Sequence, residues 1–145
     1  YPQNISVFHR DNYAVTAVST AERSDWVDVD SNGYAYFANP RNNSISVMSG
    51  RQLLGDVPVG EAPIFVKVHP QTDYVFVANS GGGSVSVLRN GAFVSNVPTF
   101  TAPQAVGVDE TNGDVYVTHS PTRVDCSLGT TCPTICLTPK LVVLK

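Results

Sequence analysis

Residues 74–88 read YVFVANSGGGSVSVL, two short runs of alternating apolar side chains joined by a tight glycine loop. Forty positions earlier the same text returns as YAYFAN and SISVM, over residues 34–39 and 44–48. Forty positions later it returns as DVYVTHS, over residues 114–120. The spacing holds elsewhere: Ile5-Ser6-Val7-Phe8, Ile45-Ser46-Val47-Met48 and Val85-Ser86-Val87-Leu88 lie forty apart, as do Ala62-Pro63 and Ala102-Pro103. Asn39 becomes Asn79 and then His119. Val27 and Val29 match Val66 and Val68 at thirty-nine, because the turn at residues 30–33 is one residue shorter than its counterpart. A period of this length marks a repeat architecture.

Within one unit, residues 64–68 alternate and end in a turn at 69–73; residues 74–78 follow and end at 79–83. Residues 85–88 turn at Arg89-Asn90-Gly91, whose Asn-Gly pair favours the positive φ angles of a hairpin. Residues 92–97 close the unit before Pro98 stops pairing. No segment has helical periodicity. Four short strands joined by tight turns make an antiparallel meander, which cannot bury both faces alone but can do so stacked on copies of itself. The expected fold class is therefore all-β, a β-propeller of four-stranded antiparallel blades. The chain would supply roughly three to three and a half blades of a six- or seven-bladed ring. Residues 1–20 would end a preceding blade, 24–59 and 62–99 would be whole blades, and 103–145 an incomplete one.

The stretch APIFVKVHPQTDYVFVANSGGGSVSVL, residues 62–88, resembles the YVTN-type repeat, close kin of NHL and lactonase-type (regucalcin-like) propellers. That pattern has a Pro-led inner strand, a turn, a strand reading roughly YVAN, a glycine-rich loop and an SVSV-like strand. It covers residues 24–119 and, in part, both flanks. The resemblance implies that residues 26–30, 64–68 and 105–108 line a central channel, with 53–57 and 92–97 outermost. Lactonase-type relatives hold a divalent metal in that channel with scattered Glu, Asn and Asp ligands, a chemistry that suits Ca²⁺ or Mg²⁺. No such ligand set maps onto Asp25, Glu61 or Asn79, so no metal site and no catalytic residue is assigned.

The final unit departs from the pattern. After His119-Ser120 the text PTRVDCSLGTTCPTICLTPK precedes the strand at 141–144, so the loop at 120–140 exceeds its counterparts by about sixteen residues. Loops of that length are usually functional or disordered. Cys126, Cys132 and Cys136 lie within it, spaced C-x5-C-x3-C. That spacing lacks the paired short loops of a zinc site, and no histidine lies close by in sequence. A local disulfide is expected instead, leaving one thiol free or paired elsewhere, with the loop an ordered, stapled excursion on one rim.

At 145 residues the chain can bury one sizeable core. Its charged fraction of 14 % and net charge of −3 exclude a strong electrostatic footprint for nucleic acid. No apolar run approaches the roughly 20 residues of a membrane span. Tyr1 is not an initiator methionine and no basic, apolar leader precedes it, so a leader has been removed or the chain begins inside a longer one. Asn4-Ile5-Ser6 and Asn42-Asn43-Ser44 are N-x-S triplets compatible with glycosylation. With the cysteines, they point to an extracellular, secreted protein.

Two whole blades and parts of two others do not close a ring, and an open arc would leave an apolar face at each end. The remainder is expected from another polypeptide, this chain being a fragment or nicked product; a second copy of the chain is the alternative. The rim formed by outer-to-inner connections and second-to-third-strand loops would carry Arg23, Asp25, Asn39, Arg41, Glu61, Asn79, Gln104 and His119, a polar ring able to bind a sugar, a lactone or a metal, with a carbohydrate or protein as the expected ligand. For Asn39 and Asn79 the favoured reading is that they end strands and cap turns. Trp26 could stack a sugar ring or pack in the core. Asp28, Lys67 and Gly107 are equivalent inner-strand positions, and the first two suit a structural ion pair because no third partner completes a proton relay. His69, in a turn where Asp30 and Asp109 stand in the other copies, reads as a surface residue. Tyr34, Tyr36, Tyr74, Phe76 and Tyr116 read as packing residues. No G-x-S-x-G, H-E-x-x-H or P-loop pattern is present. The functional expectation is a binding or interaction module, with a lactonase-like metal-dependent hydrolase second and a structural surface protein third.

Overall fold

The computed structural model describes residues 3–20, 23–99, 101–120 and 142–144. Cys126, Cys132 and Cys136, and nearly all of the 120–140 insertion, lie outside the described residues. Among the described residues there are strands and turns and no helix, and hence no helix long and apolar enough to cross a membrane.

Strands β1 (Gln3–Phe8) and β2 (Val15–Thr20) form a two-stranded sheet. Next come two four-stranded sheets: β3 (Val27–Val29), β4 (Tyr34–Asn39), β5 (Ser44–Ser49) and β6 (Gln52–Pro58) form unit I. β7 (Pro63–Val68), β8 (Tyr74–Asn79), β9 (Ser84–Arg89) and β10 (Ala92–Pro98) form unit II. Unit III holds β11 (Pro103–Val108), β12 (Val115–His119) and β13 (Val142–Leu144). Every pairing is antiparallel and joins sequence neighbours. Tyr34 faces Ser49 and Asn39 faces Ser44, while Tyr74 faces Arg89 and Asn79 faces Ser84. The forty-residue period of the text is therefore a period in space. Even the irregularities repeat, since register shifts fall between Leu53 and Gly55 on β6 and between Phe93 and Ser95 on β10.

The sheets stack face to face. Tyr36, Ala38, Ile45 and Val47 of unit I pack with Val66, Val68, Val75, Val77 and Leu88 of unit II. Ala78 and Val85 of unit II pack with Val106, Val115 and Val117 of unit III. A fully buried valine contributes about 1.5–3 kcal/mol relative to an exposed one, so these two interfaces dominate the cohesion. Because neighbouring sheets cover both faces, β5 and β9 bury five consecutive residues each, including the serines that an alternating pattern would place in solvent. The outer strands are the exception, and Leu53, Leu54, Phe93 and Val94 remain exposed.

Turns opposite the candidate rim follow from local chemistry. Asn90 and Gly91 both take positive φ, 51° and 73°, the geometry of a two-residue hairpin that matches strand twist. Gly91 also donates its backbone N–H to the Tyr36 hydroxyl of unit I at 3.1 Å, so this turn clamps two sheets.

Candidate functional site

An antiparallel meander brings the starts of its first and third strands and the ends of its second and fourth to one end. Residues 23–26, 39–43, 59–62, 79–83, 99, 101–104 and 119 accordingly share one rim. Backbone hydrogen bonds knit it together: Val59 N–H donates to the Asn43 carbonyl at 2.9 Å, Gly81 N–H to Glu61 at 3.0 Å, Thr99 N–H to Gly83 at 2.7 Å and Ser120 N–H to Ala102 at 2.9 Å. Asn43, at φ +52°, also accepts the Ala62 N–H on its side chain at 2.9 Å.

The rim residues divide into two groups. Arg23, Asp25, Arg41, Glu61 and Gln104 are exposed. Arg23 and Asp25 pair with each other, Nε to Oδ1 at 2.8 Å. The Trp26 ring lies half in solvent, tilted 31° against Phe65 of unit II with centroids 4.2 Å apart. Asn4 and Asn42, the two glycosylation candidates, are exposed, and Asn4 Oδ1 accepts the Ser19 hydroxyl at 3.0 Å.

Asn39, Asn79 and His119, by contrast, are buried. Asn39 Nδ2 donates to Ser46 Oγ at 2.7 Å and Ser44 Oγ at 3.3 Å, and Ser46 donates onward to Asp56 Oδ1 at 2.5 Å. Asn79 Nδ2 donates to Ser86 Oγ at 2.9 Å and Ser84 Oγ at 3.1 Å, and Ser86 donates to Asn96 Oδ1 at 2.9 Å. Each set is a polar ladder across three strands, forty residues apart member by member. The ladders differ at their inner end. Ser24 donates its hydroxyl to Asn39 Oδ1 at 3.1 Å, whereas the matching position in unit II is Pro63, and Asn79 Oδ1 has no partner among the described residues. A proline cannot donate.

The ladder does not continue into unit III. Val117 pairs with Val142, the register held by Phe37 with Ser46 and by Val77 with Ser86, so the hydroxyl is gone there. With it the asparagine becomes His119, whose Nδ1 faces the Thr101 carbonyl at 2.9 Å and therefore carries the proton. Its Nε2 is buried without a partner among the described residues.

Between the sheets, Lys67 Nζ lies 3.3 Å from Asp28 Oδ2, which also accepts the Val68 N–H at 2.8 Å. That is the expected structural ion pair. His69 differs from its expectation: it is buried, within a turn closed by the His69 N–H on the Tyr74 carbonyl at 2.8 Å and by the Gln71 N–H on the His69 Nδ1 at 3.3 Å. Its unit I counterpart, Asp30, is buried too and accepts the Tyr36 hydroxyl at 2.7 Å. Burial, followed by that hydrogen bond to Asp30, pushes the Tyr36 hydroxyl well above the usual tyrosine range. Phe76 replaces Tyr36 in unit II, so the acid and the hydroxyl are exchanged together.

A groove of about 480 Å³ runs between the outer strands of units I and II, lined by Pro58, Val59, Gly60, Phe93 and Asn96. Phe93 forms a half-exposed aromatic wall. Asn96 is held through its Oδ1 by Ser86, and its amide nitrogen has no protein partner among the described residues. Sequence reasoning missed this groove; the signal was Asn96, a polar residue three places after Phe93 on an outer strand and matched by Asp56 forty residues earlier. Among the described residues no three His, Cys, Asp or Glu side chains gather as a metal-holding group.

The sheets superpose on solved structures at low identity. Hydrazine synthase from Kuenenia stuttgartiensis matches with a TM-score of 0.73 and 18 % identity over 81 % of this chain and 36 % of that one. A functionally unknown protein from Desulfotomaculum acetoxidans matches at 0.71 and 17 %, over 83 % and 43 %. A streptogramin B lyase matches at 0.70 and 14 %, over 79 % and 41 %. The fold is that of a β-propeller. Units I to III are its blades, and the chain spans well under half the length of these neighbours. No protein-family model matches the sequence, and comparison with curated proteins finds no match.

Proposed function

We propose that the chain is a sector of a secreted YVTN/NHL-type propeller that acts as a binding or interaction module for a carbohydrate or protein ligand. The observation that carries this reading is the groove between blades I and II, where the Phe93 ring and the Asn96 amide face the same space. An aromatic face with a fixed amide beside it suits a sugar ring or a peptide edge, each with one apolar and one polar side. The exposed rim side chains Arg41, Glu61 and Gln104 extend the polar surface over three successive blades.

Glycan-array and peptide-array screening of the purified chain, repeated with Phe93→Ala and Asn96→Ala, tests the proposal. Loss of a wild-type hit in both variants supports it. A hit that survives both variants, or an array with no hit, overturns the groove as the binding site. The lactonase-type alternative requires Ca²⁺ or Mg²⁺ held by oxygen ligands from several blades, and native mass measurement with and without the metal separates it from the binding reading.

A further inference from the structure

Each blade carries one Asn-Gly pair in a turn on the side away from the candidate rim: Asn32-Gly33, Asn90-Gly91 and Asn112-Gly113. Glycine has no Cβ to shield its own nitrogen, so in such a pair that nitrogen can attack the preceding Asn Cγ. The N–Cγ bond forms and the Cγ–Nδ2 bond breaks. The side-chain amide leaves as ammonia, taking up the proton that the glycine nitrogen gives to solvent. Water then opens the five-membered imide at either carbonyl, to aspartate or to isoaspartate, whose backbone runs through the β-carbon.

The three pairs are held differently. Asn32 Nδ2 donates to Asp73 Oδ2 of blade II at 3.2 Å, and the Gly33 N–H donates to the Asp30 carbonyl at 3.1 Å. Asn112 is tied within its own turn. Its Oδ1 accepts the Asp114 N–H at 2.8 Å, its Nδ2 donates to Asp114 Oδ2 at 3.1 Å, and the Gly113 N–H donates to the Asp109 carbonyl at 2.9 Å. Asn90 is exposed, sits at φ 51°, and makes no side-chain hydrogen bond among the described residues. Here it is the nucleophile that is held. The Gly91 N–H donates to the Tyr36 hydroxyl of blade I at 3.1 Å, and that hydroxyl gives its own proton to the buried Asp30 at 2.7 Å.

We propose that Asn90 is a deamidation site gated by the contact between blades I and II. The proton that the Gly91 nitrogen must lose before it attacks is the one it donates across the interface, so that bond has to break first. Local opening of the two blades at this turn therefore sets the rate. The product keeps a one-way record of that opening. An isoaspartyl residue adds a backbone carbon that a two-residue turn has no room for, and a carboxylate beside the clamp, so the Gly91–Tyr36 bond does not re-form. Nothing in this inference depends on a ligand at the Phe93 groove.

The test incubates the purified chain in mildly alkaline buffer and follows each Asn-Gly peptide by mass spectrometry for the change from amide to acid. Isoaspartyl methyltransferase marks the isoaspartyl share. Asn112, whose hydrogen bonds lie within its own turn, is the internal reference. Tyr36→Phe removes the acceptor and should raise the rate at Asn90 about fivefold relative to Asn112. The wild type reads the same opening without a substitution: across urea concentrations below the unfolding midpoint, the Asn90 rate should rise in step with exchange of the Gly91 N–H. The isolated isoaspartyl form should exchange that N–H faster than its parent. An Asn90-to-Asn112 ratio unchanged by Tyr36→Phe overturns the proposal. So does an Asn90 rate in the folded chain equal to that in the urea-unfolded chain, or one that does not follow Gly91 exchange.

Discussion

Blades I and II are copies forty residues apart with superimposable pairing, yet they satisfy their buried polar groups differently. Blade I runs a complete ladder from Ser24 through Asn39 and Ser46 to Asp56, and closes its far end with the Asp30–Tyr36 bond. Blade II keeps the middle of the ladder but places Pro63 at its head, and has His69 with Phe76 at the far end. The difference teaches that the apolar alternation carries the fold while the polar set varies in linked groups. A hydroxyl and its acceptor leave together, because a buried polar group without its partner costs more than the absence of both.

The largest expected effect comes from the place where blade II packs tightest. A Cβ on Gly60 would sit 2.5 Å from Asn79 Nδ2 and 2.8 Å from Ser84 Oγ, both buried and hydrogen-bonded, so neither side chain can yield. Gly60→Ala should therefore destabilise by about 3 kcal/mol, seen as a lower urea midpoint at unchanged slope. An unchanged midpoint would mean the ladder is softer than its geometry states. Next, Tyr36→Phe removes a donor to Asp30 and an acceptor for the Gly91 N–H, at a cost of about 2 kcal/mol. The double variant Asp30→Asn with Tyr36→Phe should cost less than the two singles summed, because blade II tolerates a phenylalanine where the acid is also absent. Additive costs would break the idea that the pair varies as one.

At the head of the ladder, Ser24→Ala converts blade I to the condition of blade II, leaving Asn39 Oδ1 without its donor as Asn79 Oδ1 already is. The expected cost is about 1 kcal/mol, read from the same urea titration. A cost near zero would show that Pro63 in blade II is no handicap.

Much of this architecture was legible in the text. The alternating runs, the Asn-Gly turn and the forty-residue period specify strands, their order and their stacking, and the Asp28–Lys67 pair follows from the same alignment. What was not legible is which polar residues the stacking would enclose. Asn39 and Asn79 look the same in sequence whether they cap a turn in water or anchor a buried ladder; the cue was the Ser-x-Ser that follows each at fixed spacing. His69 is hidden for a different reason. Its turn closes on itself, with the His69 N–H on the Tyr74 carbonyl and the Gln71 N–H on the ring Nδ1, and sequence spacing does not reveal which turn residue that closure covers. The groove at Phe93 was missed because it forms only where two outer strands meet.

The smallest expected effect is electrostatic and lies in the turns at the far end. Asp73 of blade II accepts the Ser31 N–H at 2.9 Å and the Ser31 hydroxyl at 2.8 Å from blade I, and these bonds hold its carboxyl below the usual range. Asp109 of blade III is also lowered, but by Thr111 of its own turn, while the II/III contact is the Gln71 amide on Glu110 at 3.1 Å. A depressed folded-state value means that the contribution of Asp73 is fully present above the unfolded carboxylate value, about 4, and is lost as pH falls through the lower folded value. Urea midpoints of the wild type and Asp73→Asn should therefore differ slightly at neutral pH and converge as the solution is acidified below that range. The parallel variant Asp109→Asn should change its own turn without altering exchange protection at the blade I turn. If Asp73→Asn leaves the Ser31 N–H protected at neutral pH, apolar packing alone sets how blades I and II meet, and the polar turn contact is a consequence of that docking rather than a part of it.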